Sequence, residues 1–195
     1  RGLNVTIPHK ETVAQWLDRL DPSAESAGAV NVVTNEEGEL IGMNTDVYGV
    51  RMTFEKAGIQ VSGMETLVVG AGGAAKAVCS YLREKRARIH VVNRTKSKAE
   101  RIAEEFGGLA LEFLEAEKKE FELVINCTPV GMSGFPEGLP ISPSVFRKGQ
   151  VVMDVIYNPL KTPFLLEAEK RGAITLSGVE MLIYQAMDAF AKWTG

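Results

Sequence analysis

The sequence is poor in the residues that build cross-linked or metal-centred proteins. Among 195 residues there are two cysteines, Cys79 and Cys127, and two histidines. Two thiols are too few for a disulfide framework, and two imidazoles leave little from which to build a zinc site. No apolar run approaches the roughly 18 residues of a membrane-crossing helix. No charged segment leads into an apolar stretch at the N-terminus, so no signal peptide is read either. A large charge of one sign is also missing. The 22 Lys and Arg against 25 Asp and Glu leave a net charge of −3, with the cations spread along the chain, which excludes a basic nucleic-acid footprint. Repeats and low-complexity tracts are absent, and a composition 45% hydrophobic and 24% charged excludes disorder and a collagen-like chain. What remains is a chain able to bury one or two ordinary cores, expected in the cytoplasm.

The first third reads as mixed structure. Leu3, Val5 and Ile7 alternate with Asn4 and Thr6 as a half-buried strand does, and Pro8 leads into a helix expected over about residues 10–20, striped by Val13, Trp16, Leu17 and Leu20. Residues 29–34 and 39–43 flank Asn35-Glu36-Glu37-Gly38 and predict a hairpin with glycine in the left-handed region. Asp46 reads as the N-cap of a helix carrying Val47, Val50 and Phe54 and stopped by Gly58. From Val61 onward the rhythm changes. Strands are expected at 66–69, 89–92, 109–113, 123–126 and 151–155, and helices at 74–85, 96–106, 162–171 and 179–193. Such alternation predicts a parallel sheet covered by helices, with a boundary near 58–63.

Thr66-Leu67-Val68-Val69 runs directly into Gly70-Ala71-Gly72-Gly73-Ala74-Ala75, which is G-x-G-x-x-A between a strand and a helix. Gly70 permits the tight turn, Gly72 lets the backbone approach a pyrophosphate, and Ala75 allows close helix–strand packing. Free N–H groups at the helix start then face the anion. The next strand ends in Asn93-Arg94-Thr95-Lys96-Ser97-Lys98. An NAD site carries an acid here for the ribose 2′-hydroxyl. This loop has none and offers the cations Arg94, Lys96 and Lys98 and the Thr95 hydroxyl, which suit a 2′-phosphate and point to NADP. Alone it is an ordinary solvated helix start; beside the glycine loop it reads as part of a nucleotide site.

Larger motifs then carry a resemblance. Gly2-Leu3-Asn4-Val5-Thr6-Ile7-Pro8-His9-Lys10, Gly28-Ala29-Val30-Asn31, Gly42-Met43-Asn44-Thr45-Asp46, the glycine loop, Asn93-Arg94-Thr95, Asn126-Cys127-Thr128-Pro129-Val130-Gly131-Met132, Asp154-Val155-Ile156-Tyr157-Asn158-Pro159 and Met181-Leu182-Ile183-Tyr184-Gln185-Ala186 follow one another in the order found in shikimate dehydrogenases. The sequence resembles that family over essentially its whole length. The resemblance implies NADP-linked interconversion of shikimate and 3-dehydroshikimate in the pathway to the aromatic amino acids, with no nucleic-acid or membrane partner and a monomeric or homodimeric state. It implies an α/β architecture: a Rossmann-type doubly wound parallel sheet binding NADP over 61–178, a partial α/β substrate domain from 1–52 and 179–195, and a connection over 53–60.

By the same resemblance Lys10 and Asp46 are the catalytic pair, which fits the need for a positioned group to move a proton on the oxygen beside the hydride-bearing carbon. Thr6, Asn31, Asp46, Tyr157 and Gln185 are expected to line the substrate pocket. Gly70, Ala71, Gly72, Gly73 and Ala74 with Asn93, Arg94, Thr95, Lys96, Ser97 and Lys98 are expected to hold NADP, with Thr128, Val155 and Gly178 near the nicotinamide. His9 is read as packing or meeting water, Cys79 as core, Cys127 as a small filler, and Trp16, Trp193 and the methionines as packing. The family begins with a strand and helix bearing a Ser-x-Ser motif for the substrate carboxylate, and this sequence starts after that point, so the substrate domain is expected to be incomplete. Two other readings follow: a quinate/shikimate dehydrogenase of broader substrate use, and an inactive NADP-binding module.

Overall fold

In the computed structural model, which describes residues 1–195, a mixed four-stranded sheet is formed by β1 (Gly2–Asn4), β2 (Arg19–Leu20), β3 (Val32–Glu36) and β4 (Glu39–Met43). The order is β1-β3-β4-β2, with β3 antiparallel to both its neighbours and β2 parallel to β4. The expected hairpin joins β3 to β4, and its two turn residues, Glu37 (φ 54°) and Gly38 (φ 102°), both take the positive φ that matches strand twist.

The helix expected over 10–20 does not form. One 3-10 turn, Val13–Trp16, is all that is helical there, and the first strand stops at Asn4 instead of reaching Ile7. The segment's backbone groups are used elsewhere: Val30 N–H donates to the Lys10 carbonyl at 2.8 Å, Asp18 N–H to Leu40 at 3.0 Å and Asp21 N–H to Gly42 at 2.9 Å. Sheet pairing therefore overrides a stripe that is real, since Val13, Leu17 and Leu20 still pack on the small core of Ala24, Val30 and Val33. Trp16 is not packing at all but 75% exposed.

A helix not expected from the sequence, α1 (Pro22–Ala27), follows instead. Asp21 caps it by accepting from Ser23 N–H (2.9 Å) and Ala24 N–H (3.1 Å), and Pro22 takes the first helical position. In α2 (Asp46–Lys56) the cap position belongs to Thr45, and Asn44 Oδ1 accepts from Val47 N–H at 3.2 Å. The Asp46 carboxylate is thereby free for other work.

Beyond α2 come β5 (Glu65–Val69), α3 (Gly73–Glu84), β6 (Arg88–Val92), α4 (Lys96–Phe106), β7 (Leu109–Ala110), α5 (Phe113–Ala116), β8 (Leu123–Asn126), β9 (Val151–Asp154), α6 (Pro163–Lys170), β10 (Ile174–Leu176) and α7 (Gly178–Thr194). The strand expected over 109–113 is only two residues long because Glu112 and Glu115 form a capping box that turns the chain into α5. No expected strand corresponds to β10. The six strands run parallel in the order β10-β9-β8-β5-β6-β7, so the winding direction reverses between β5 and β8. This is the doubly wound Rossmann arrangement.

Both faces of that sheet are dry, as a parallel sheet requires. Val68, Val91, Ile125 and Met153 point into one core with α3 and α4, while Leu67, Val69, Val124 and Val152 point into another with Phe146 and Phe164. The helix α7 packs along α2 and reaches β3, where Trp193 Nε1 donates to the Val33 carbonyl at 3.3 Å. Met181 of α7 and Phe54 of α2 join the core of the six-stranded sheet, Phe54 stacking on Tyr81 with 5.6 Å between centroids. These two helices thus tie one sheet to the other. No helix is long and apolar enough to cross a membrane.

Candidate active site

The winding reverses between β5 and β8, and a crevice opens beyond their carboxyl ends, as it does in open parallel sheets generally. Gly70 leaves β5 at φ 113°, a conformation L side chains avoid, and turns the chain into α3. The start of α3 has no side-chain cap, so its first N–H groups are left for a ligand. A Cβ placed on Gly72 would meet nothing within 4 Å, so the space above it is open. Arg94, Thr95 and Lys98 border the same cavity of about 330 Å³. Uncapped amides, an open glycine floor and cations at the far end fit a dinucleotide carrying an extra phosphate.

A second cavity of about 520 Å³ adjoins the first, and Ile7, Lys10, Ala74, Cys127, Thr128 and Pro129 border both. Lys10 Nζ donates to Asp46 Oδ2 at 2.5 Å, with side-chain exposures of 15% and 5%. Asn31 Nδ2 lies 3.0 Å from Asp46 Oδ1, 3.0 Å from Thr45 Oγ1 and 3.2 Å from Gln185 Oε1. Thr45 N–H donates to Asn31 Oδ1 at 2.7 Å, which fixes the orientation of that amide. The result is a largely buried polar chain running from Gln185 of α7 through Asn31, just before β3, and Asp46 of α2 to the ammonium. Its members hold one another because an unpaired buried polar group is costly.

The opposite wall rests on Asp154, fully buried at the end of β9. It accepts from Thr162 Oγ1 (2.6 Å), Asn126 Nδ2 (3.0 Å) and Ile156 N–H (3.0 Å). Burial pushes its carboxyl up to about 6, against the pull of those hydrogen bonds. Asn126 in turn accepts from Thr128 through N–H (2.9 Å) and Oγ1 (2.7 Å). One carboxylate thereby fixes the loops that carry Thr128, Val155 and Tyr157.

Of the residues expected from the sequence, Thr6, Lys10, Asn31, Asp46, Tyr157 and Gln185 all border the larger cavity, which brings together segments up to 179 positions apart (Thr6 to Gln185). Gly70, Ala71, Gly72, Gly73, Ala74, Asn93, Arg94, Thr95 and Lys98 border the smaller one, and Thr128 both. Val155 and Gly178 border the larger cavity and not the glycine-loop one. Lys96 and Ser97 border neither. Lys96 opens α4, and its ammonium is engaged by Glu112 at 2.7 Å. Sequence reasoning places Thr45 only within a motif; its position between two other motif residues, Asn44 and Asp46, is the available signal. Met132, Phe135 and Met181 also border the larger cavity, so Met132 and Met181 do more than fill a core. Cys127 sits at the junction, but burial pushes its thiol well up and away from nucleophilic use. His9 is exposed and borders neither cavity.

A doubly wound sheet with a nucleotide-type switch point, facing a second α/β layer that supplies a Lys–Asp pair, defines a nucleotide-dependent α/β oxidoreductase. Residues 1–33 match the family described as shikimate dehydrogenase substrate binding domain, and residues 52–131 match the one described as shikimate / quinate 5-dehydrogenase. The chain belongs to the shikimate dehydrogenase family. It is 44% identical over 201 residues to a shikimate dehydrogenase (NADP(+)) of Geobacillus kaustophilus, covering 100% of this chain and 73% of that one. The crystal structure of shikimate 5-dehydrogenase from Thermus thermophilus in complex with NADP(H) and shikimate superposes with a TM-score of 0.91 at 39% identity, covering 100% and 73% of the two chains. Quinate dehydrogenase from Corynebacterium glutamicum in complex with NAD gives 0.89 at 33% identity, covering 100% and 72%.

Proposed function

We propose that this chain catalyses the reversible, NADP-linked reduction of 3-dehydroshikimate to shikimate, a step toward the aromatic amino acids. The observation that carries the reading is the position of Lys10: its side chain stands where the two cavities meet, with its ammonium on Asp46. NADP, when bound, supplies or takes the hydride at the ring carbon. The protein's part is to handle the proton on the adjoining oxygen. In reduction the Lys10–Asp46 pair gives a proton to the ketone oxygen, and in oxidation it takes the proton of the hydroxyl. The proton is assigned to the pair and not to one member, because the two groups share a hydrogen bond.

Thr6, Asn31, Tyr157 and Gln185 offer polar tips to a ring bearing hydroxyls and a carboxylate, and Asp46 serves both pocket and proton transfer. Arg94, Thr95 and Lys98 take the 2′-phosphate, Gly70 to Ala74 the pyrophosphate. Residues 61–178 form the cofactor unit, 1–52 with 179–195 the substrate unit, and 53–60 the connection. The names of the relatives support this reading, as does the absence of an acid at position 93. The test is to incubate the purified protein with shikimate or quinate and NADP or NAD, following absorbance of the reduced cofactor. Turnover of shikimate with NADP is expected. A preference for quinate with NAD would replace the reading by the quinate enzyme, and no turnover with any pair would remove it.

A further inference from the structure

Gly73 is the one glycine of the nucleotide loop that the fingerprint does not require. In G-x-G-x-x-A it occupies a free position, and unlike Gly70 it does not sit at positive φ. As the first residue of α3 it is locally the poorer choice, since alanine is the better helix former. The reason for glycine lies across the cleft. A Cβ at position 73 would stand 2.8 Å from Lys10 Cβ, 3.2 Å from its Cδ and 3.5 Å from its Cγ. Lys10 is tethered at both ends. Its carbonyl accepts from Val30 N–H at 2.8 Å, and its ammonium is held on Asp46 at 2.5 Å.

We infer that Gly73 is a positioning residue for Lys10: by lacking a side chain it lets the start of α3 close on the lysine stem and fixes the ammonium between Asp46 and the cofactor cavity. The nucleotide loop and the proton-handling group are then in direct mechanical register. A shift of the α3 start is passed to Lys10 through the stem and not through the ligand. The kinetic part of this inference rests on the function proposed above; the geometric part does not.

The test is Gly73→Ala in the whole chain. Without nucleotide, acetylation of Lys10 by acetic anhydride, followed by peptide mass spectrometry, is expected to run several-fold faster than in the wild type, with surface lysines unchanged. In turnover with shikimate and NADP, kcat is expected to fall by up to roughly 10²-fold with a displaced pH profile. A purely structural role would lower the thermal midpoint and leave Lys10 reactivity and the pH profile alone, which would overturn the inference. So would unchanged labelling and kcat. If the variant does not fold, Gly73→Ala is made with Lys10→Gly: recovery of the fold supports the inference, and failure to recover overturns it. A wild type without turnover removes the proposed function, and the labelling arm still decides the role of Gly73.

Discussion

Lys10 and Asp46 are held in their pairing by polar neighbours. Asn31 holds the far oxygen of Asp46, and Thr45 holds Asn31, so the carboxylate is aimed before any ligand arrives. Lys10→Ala should reduce turnover about 10²- to 10⁴-fold with NADP affinity nearly intact, since a positioned acid–base group is worth that much; steady-state kinetics beside a nucleotide titration checks it. At the other end of the cleft, Arg94→Ala should weaken NADP by about 1.5–3 kcal/mol and spare NAD, the scale of a hydrogen bond to a charged group. Calorimetric titration with both nucleotides reads the difference, and equal losses would detach Arg94 from the 2′-phosphate. Among single residues, Thr6, Lys10, Asn31, Asp46, Tyr157 and Gln185, which border the larger cavity, were all singled out beforehand by the motifs that carry the family resemblance. The pairing of Lys96 with Glu112 was not legible, since Glu112 comes from beyond β7 and no spacing announces such a partner.

Elements obeyed local rules where their backbone had no better offer. The hairpin turn, α3 and α4 lie where periodicity and glycines put them. The stretch 10–20 shows the opposite case: helix-spaced apolar residues lost to hydrogen bonds with β4, because sheet partners were available at 2.9–3.0 Å. Immediately after it, Asp21-Pro22 carries a legible helix start that the false helix obscures. Asp21→Ala should destabilise the protein by about 1 kcal/mol, the usual worth of an N-cap. For a chain of this length that is a drop of roughly 2–4 °C in thermal midpoint, measurable by calorimetry. Catalytic constants should change little, because Asp21 borders neither cavity.

For the whole molecule, α2 and α7 decide how the two sheets face each other, and the buried network of Asp154 decides how the walls of the crevice stand. That carboxylate leaves a signature in the pH dependence of stability. Its folded value near 6 exceeds its ordinary 3.8, so between these values the folded chain keeps a proton the unfolded chain has released. Stability contributed by Asp154 therefore falls as pH rises from about 4 to 6, by on the order of 3 kcal/mol. Asp154→Asn lacks this titration. Its stability relative to wild type should rise across that window and level off above it, as urea unfolding at several pH values will show. A flat difference would mean that burial does not govern this carboxylate.

Local sequence suffices for the nucleotide loop and the parallel βα units, because each is a short-range pattern, a turn that needs glycine or a period of two or 3.6; the Lys10–Asp46 pair is read from the family resemblance that its motifs carry. Chain folding in three dimensions was needed to settle that residues 10–20 abandon a helix, that Lys96 pairs with Glu112, that Asp154 braces two loops and that the start of α3 comes close to the Lys10 stem. Each of these depends on a partner distant in sequence, whose hydrogen bond or van der Waals surface exists only once the sheets have met.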